Sequence, residues 1–236
     1  MRNLWAVAER ELKNYFVSPL AYVVTALFLV MAGVLFSEGL LLTREATLQP
    51  LLSNVSVLFL FIIPAISMRL LAEEQRSGTI ELVLTNPVQE WEIVVGKFLA
   101  SFLLVAAMLA LTLVYPLFLV TLGNPELGPI VSGYLGVLLL GSAFLAIGLW
   151  ASSVTQNQII AALLAFGLLL ILWLSESIGR GLGGPVGDAI SYVSLVSHFG
   201  DFNRGVINTK DVVFYLSVVA AGLALSTISL QSRRFR

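Results

Sequence analysis

Nearly uncharged apolar runs of roughly twenty residues recur six times along the chain, at about 19–42, 51–71, 98–122, 130–153, 158–178 and 212–230. A run of that length matches the thickness of a bilayer core at the helical rise of about 1.5 Å per residue. Lipid offers no partner to a backbone N–H or C=O, so each run must satisfy its own backbone as an α-helix. The strands of a membrane barrel would need only about 9–11 residues. The pattern therefore predicts an all-α integral membrane protein with six transmembrane helices in a single domain over 1–236. Pro64 in the second run and Pro116 in the third should each kink a helix, because proline removes a backbone donor. The fourth and fifth runs are separated only by 154–157 and should form a tight helical hairpin.

Ahead of the first run, Leu4, Trp5, Ala8, Leu12, Tyr15 and Phe16 recur at helical spacing, with Arg2, Glu9, Arg10 and Lys13 between them. This predicts an amphipathic helix over 1–17 lying on the membrane surface, with Trp5 and Tyr15 at headgroup depth, either as a simple interfacial anchor or as a lever that touches a cytoplasmic partner. The first apolar run is too long for a signal peptide, so no cleavable targeting segment is expected. With six spans, both ends share one side. That side carries nine of the thirteen lysines and arginines, and the other carries Arg44, Arg180, Arg204 and Lys210. The positive-inside rule then places both termini in the cytoplasm.

Composition narrows the function. Hydrophobic residues make up 58% and charged residues 11%, with a mean hydropathy of +0.95. A soluble enzyme of this size could not bury so much apolar side chain. The net charge of −1 gives no basic field for nucleic acid. With no cysteine and one histidine, His198, no disulfide, thiolate site or metal centre is expected. The chain has no Walker A phosphate-binding motif; the glycine-rich run 179–187 lacks the Lys-Ser/Thr pair. Ser142 lacks the surroundings of a catalytic serine, so no catalytic residue is assigned.

The segment 73–97 is richer than a turn requires. It holds five of the fourteen acidic residues, which keeps it in water. Gly78 can end the helix continuing from the second run, and Ser77 or Thr79 can cap a short new one. That helix would present Ile80, Leu82, Val83 and Leu84, with Glu81 on its polar side. Asn86-Pro87-Val88-Gln89 resembles a further capping signal, with Pro87 at the first helical position. The segment reads either as a well-capped interfacial turn or as a rigid knob that fits a groove on another protein.

On the opposite side, a short amphipathic helix is expected with Val186, Ile190, Val193 and Val196 on one face, extended by Phe199 and Phe202. His198 reads as an interfacial or hydrogen-bonding residue, not a ligand. Glu38 and Glu176, near outer span ends, either snorkel to water or touch an exit path. Gly133, Gly136, Gly141 and Gly148 in the fourth run should permit close helix packing.

The pattern Glu-x-x-x-Gly-Thr-x-Glu-Leu-x-Leu-x-x-Pro, carried by Glu74, Gly78, Thr79, Glu81, Leu82, Leu84 and Pro87 and followed by Gly96-Lys97, resembles the ABC-2 permease family. Val83 stands where that family often has leucine. The segment 197–215, Ser-His-Phe-Gly-Asp-Phe-Asn-Arg-Gly-Val-Ile-Asn-Thr-Lys-Asp-Val-Val-Phe-Tyr, is similar to the gliding-motility-associated branch and, more distantly, to the permease of nitrous oxide reductase maturation.

The resemblance implies a six-helix half that pairs with a second half and sits on two separately encoded ATPase subunits. Those subunits would bind ATP and Mg, so no cofactor is expected in this chain. The seven motif residues would form the coupling segment that enters the ATPase, and the N-terminal helix would lie beside it. Short external helices within 179–210 would dip into the membrane and form a gate, with Val186, Ile190, Val193, His198, Phe199 and Phe202 as its candidate residues. Two readings follow: a permease exporting an amphiphile across a bacterial inner membrane, or a membrane subunit that drives a periplasmic, envelope or motility partner without solute transport.

Overall fold

The computed structural model describes residues 2–43, 45–78 and 89–234. The described residues form helices and no strand. The order is α1 (Arg2–Val17), α2 (Pro19–Thr43), α3 (Gln49–Ser67), α4 (Ala72–Ser77), α5 (Glu90–Leu111), α6 (Val114–Leu122), α7 (Leu127–Val154), α8 (Gln158–Leu182), α9 (Gly184–Val193), α10 (Phe199–Asn203) and α11 (Thr209–Arg234). Among the described residues, six stretches are long and apolar enough to cross a membrane: α2, α3 with α4, α5 with α6, α7, α8 and α11. One end of the bundle, here called basal, gathers α1, α4, the start of α5, the α7–α8 turn and the end of α11. The distal end holds α9 and α10.

The spans divide into centre and periphery. In α3 and α7, 72% of the apolar window is buried, against 17–33% in the other four. Glycines make the centre possible. A methyl group on Gly133 would fall 2.5 Å from Leu52 Cδ1, and one on Gly136 would fall 2.5 Å from Phe202 Cβ. On Gly141 it would meet Phe59 Cε2 at 2.9 Å, and Gly148 faces Ser67 more closely still. Each gap in α7 is filled by a neighbour's side chain, as the glycine spacing predicts.

Pro116 acts as expected. Lacking an N–H, it cannot bond Thr112 O, and the helix breaks at Thr112–Leu113 between α5 and α6. The freed carbonyl accepts instead from Tyr115 N–H and from the Tyr134 hydroxyl, both at 3.0 Å. Pro64 does not interrupt α3, which runs to Ser67 and gives way to a turn at 68–71.

Several boundaries differ from the sequence reading. The third span begins at Glu90, not near 98, because charged Glu90, Glu92 and Lys97 are accommodated inside the helix. Gln89 is extended and precedes that helix as its cap, so it does not occupy the third helical position. Ser77 belongs to the last turn of α4, where its hydroxyl donates to Glu73 O at 3.0 Å; it does not open a new helix. Gly78, at φ +70°, ends α4 in the left-handed region that suits glycine.

Tyr15 does not share the position of Trp5. Trp5 is 64% exposed, whereas Tyr15 packs against the core. The inward stripe of α1 runs through Leu4, Val7, Ala8, Glu11, Leu12 and Tyr15, with Phe16 on the outer face. Likewise Phe199 and Phe202 do not extend the apolar surface of α9. Both are buried, because the Gly136 gap admits the Phe202 side chain and Ser132 Oγ holds Phe202 O at 2.7 Å.

Gly136→Val should therefore lower stability by about 2 kcal/mol, an overpacking cost. Gly167→Ala, where the added methyl meets nothing within 4 Å, should be near neutral. Thermal melting of the detergent-solubilised protein, followed by size-exclusion retention, measures both; equal melting points would refute the packing argument.

Candidate functional site

The seven predicted coupling residues are divided by the structure. Glu74 and Gly78 are placed; Thr79, Glu81, Leu82, Leu84 and Pro87 lie outside the described residues. The helices on either side of 79–88 are placed, and a charged cluster joins them.

Lys97 lies two turns into α5 and is 2% exposed. Its ammonium donates to Glu11 Oε1 of α1 at 2.8 Å and to Glu74 Oε1 of α4 at 2.9 Å. A buried ammonium is tolerated only with such charge-assisted partners. Gly96, one residue earlier, lets α1 reach this position: a methyl there would lie 2.8 Å from Val7 Cγ1. At the start of α5, the Glu92 carboxylate accepts from Gln89 N–H at 3.2 Å and from Asn3 Nδ2 at 3.4 Å. Both roots of 79–88 are thus fastened to α1.

The root on α4 is also fastened to the bundle's centre. The turn 68–71 leaves backbone groups without helical partners, and Ser152 of α7 supplies them. Its hydroxyl accepts from Leu71 N–H at 3.1 Å and Ala72 N–H at 3.0 Å, and donates to Met68 O at 3.1 Å. Gln75 Nε2 donates to Ser153 O at 3.0 Å, and Ser229 of α11 donates to the same carbonyl at 3.1 Å. Arg69 pairs with Glu73 through two bonds, 2.7 and 3.0 Å, and reaches Ser18 Oγ at 3.5 Å.

Between α1 and α4 these groups enclose a cavity of about 330 Å³ lined by Arg10, Glu11, Tyr15, Arg69, Glu73 and Glu74, among others. Burial pushes the Tyr15 hydroxyl above its ordinary range, and neighbouring Glu11 adds to the effect, so it stays neutral.

The candidate gate residues separate into two groups. Val186 and Val193 are exposed on α9, at 67% and 50%, with Ile190 partly covered beside them. His198, Phe199 and Phe202 are buried. His198 Nδ1 lies 2.6 Å from Asp211 Oδ1, its Nε2 lies 2.9 Å from Tyr192 O, and its ring stacks on Phe214 at 3.8 Å. These contacts tie the loop after α9 to the start of α11. Glu176 pairs with Arg180 one turn on, and Glu38 is exposed. Among the described residues no group of three or more His, Asp or Glu is placed to hold a metal ion.

Sequence reasoning missed Glu11, Gln75 and Ser152, and used Lys97 only as the tail of a motif. Glu11 carried a legible signal, since it falls on the inward stripe three and four residues after Ala8 and Val7. Ser152 carried none.

Lys97→Met should strip Glu11 and Glu74 of their cation and destabilise the chain by about 3–5 kcal/mol. The triple change Lys97→Met, Glu11→Gln, Glu74→Gln should recover most of that loss in the same melt. A triple variant no better than the single one would show that the charge itself is not what the pocket stabilises.

The profile of the family described as ABC-2 family transporter protein matches residues 5–192, which run from within α1 to α9 and include both roots of 79–88. No curated protein matches the chain. With most of its length matched and six apolar helices arranged around the cluster described above, this chain belongs to the ABC-2 family of transporter membrane proteins.

Proposed function

We propose that the chain is the transmembrane subunit of an ABC exporter for an amphiphilic substrate, worked by a separately encoded ATPase that grips segment 79–88. Membership in the family supports a membrane subunit that is normally non-catalytic, with an ABC ATPase as its general partner. ATP and Mg would be bound by that partner. The basal end would face the cytoplasm of a bacterium, with the protein in its inner membrane. The similarity of 197–215 to the gliding-motility-associated branch lies beyond the matched residues 5–192 and belongs to the same proposal.

The observation that carries the reading is the Lys97 cluster. A connection that merely turned the chain around would not need α1, α4 and α5 joined by a buried ammonium between the two roots of 79–88. Joined in this way, they act as a lever. Displacement of 79–88 would move α4; Ser152 and Gln75 would pass the movement to α7, and the 68–71 turn would pass it to α3. The substrate path would lie where a second half meets this one, along the poorly buried faces of α2 and α8 and the exposed edge of α3 at Phe61. Val186, Ile190 and Val193 would border its outer mouth.

Glu81→Arg and Leu82→Asp should leave membrane insertion intact and reduce ATPase copurification at least about tenfold, the effect of placing a like or unsolvated charge in a docking groove. Glu126→Ala, at the distal end, should leave copurification unchanged. A complex that survives both basal changes unaltered sinks the docking assignment. Stimulation of ATP hydrolysis by a purified amphiphile would support export; stimulation only by an envelope protein would refute it.

A further inference from the structure

A second cavity, of about 310 Å³, opens at the distal end between α3, α8 and α10. Its polar lining includes Ser53 and Ser56 of α3, Glu176 and Arg180 of α8, and Asn203 and Arg204 around the end of α10. The charges are not balanced evenly. Glu176 is engaged by Arg180, and Asp201, also in the lining, has Lys210 at 3.8 Å. Arg204 has no acidic partner among the described residues, and its side chain is left facing solvent.

Neutral groups complete the lining. Asn203 Nδ2 donates to Ser53 Oγ at 2.8 Å and to Gln49 O at 3.3 Å. Its Oδ1 is buried beside Gly133 of α7 and is closed off from the cavity. The lining therefore offers one guanidinium fork free of carboxylates, Arg204, with Arg180 shared with Glu176 nearby. Guanidinium forks match the spacing of phosphate oxygens and bind them with charge-assisted hydrogen bonds.

The cavity continues into an apolar track. Val57 and Phe61 lie one and two turns below Ser53 on the same face of α3 and are 37% and 62% exposed. Across from them, the Phe61 ring meets Phe166 of α8 at 5.3 Å. A free anion has no use for such a track, whereas an acyl chain does.

We infer that this cavity binds the phosphate-ester headgroup of an amphiphile. The phosphate sits against Arg204, with Arg180 beside it in its pair with Glu176, and the chain runs down past Val57 and Phe61. The inference deepens the export reading, on which it rests for treating the bound molecule as cargo. Its binding test needs no ATPase, so its failure leaves the docking at 79–88 untouched.

The test uses the full chain purified in a maltoside detergent, which carries no phosphate. Dioctanoyl phosphatidic acid, dioctanoylglycerol and inorganic phosphate are titrated separately by calorimetry. Phosphatidic acid should bind, and dioctanoylglycerol about tenfold or more weaker, the loss expected when charge-assisted bonds are absent. Arg204→Gln should weaken phosphatidic acid by about tenfold and Arg204→Lys by less, since lysine keeps the charge without the fork. Arg204 makes no described side-chain contact, so these variants should fold, and unchanged size-exclusion profiles and melting points would confirm that. Inorganic phosphate binding as tightly as the lipid would retain the phosphate site and overturn the lipid as its source. Equal affinity for phosphatidic acid and dioctanoylglycerol, or Arg204→Gln and Arg180→Gln variants that bind like the unchanged chain, would overturn the inference.

Discussion

A single buried ammonium organises the basal end. Once Lys97 is carried two turns into α5, it is almost wholly buried and must find carboxylates. One comes from α1 and the other from α4, so the positions of both helices relative to α5 are set together. Gly96 is part of the same solution, because any larger residue would push Val7, and with it Glu11, away from the charge. Desolvating three ionised groups offsets much of the attraction between them, so the cluster adds less stability than the short distances suggest. Its effect is on geometry: no one of the three helices can shift without separating a buried charge from its partner.

The centre of the bundle is held by a different means. Around α7 the contacts are glycine gaps filled by Leu52, Phe59, Ser67 and Phe202. Lipid tails are as apolar as these side chains, so association within the membrane depends on close packing and on backbone groups that have to be satisfied internally. Tyr134 at the Thr112 carbonyl and Ser152 at the 68–71 turn serve the second need. Both sit where a helix is interrupted, and each hydroxyl occupies a place that water would take in a soluble protein.

The six spans were legible in the sequence because hydrophobicity over twenty residues has no other use in a chain of this composition. The glycine contacts of α7 were legible for a related reason, since small residues at intervals in an apolar helix announce a near neighbour. What escaped was everything set by a distant partner. The capping signal at 86–89 put a helix start within a few residues of Glu90, but the apolar span was legible only from about 98, because Glu92 and Lys97 argue for water and only Glu11, Glu74 and Asn3 explain how those two are accommodated. Tyr15 resembled Trp5 as an aromatic beside charge, but helical phase puts it on the inward stripe. Phe199 and Phe202 looked like a continuation of α9, and the loop between turns them under α7. In each case the residue's chemistry was read correctly and its direction was not, because direction depends on contacts more than fifty residues away in the chain or on a turn between two short helices.

The two cavities are connected by the same element. Ser53 near the start of α3 lines the distal one, and Leu70, past its end, lines the basal one. The helix between is unbroken from Gln49 to Ser67, about 28 Å at the standard rise. It is also among the two best-buried spans, so it cannot bend freely without disturbing Leu52 and Phe59 against the glycines of α7. A stiff rod packed in this way moves as a body or not at all. Tilting at the 68–71 turn, where Ser152 rather than a helical ladder holds the backbone, would therefore be felt at Ser53 and Asn203 at the other end. The docking proposed at the base and the headgroup binding proposed at the top would in this sense be two loads on one lever, with α7 as the surface against which it turns.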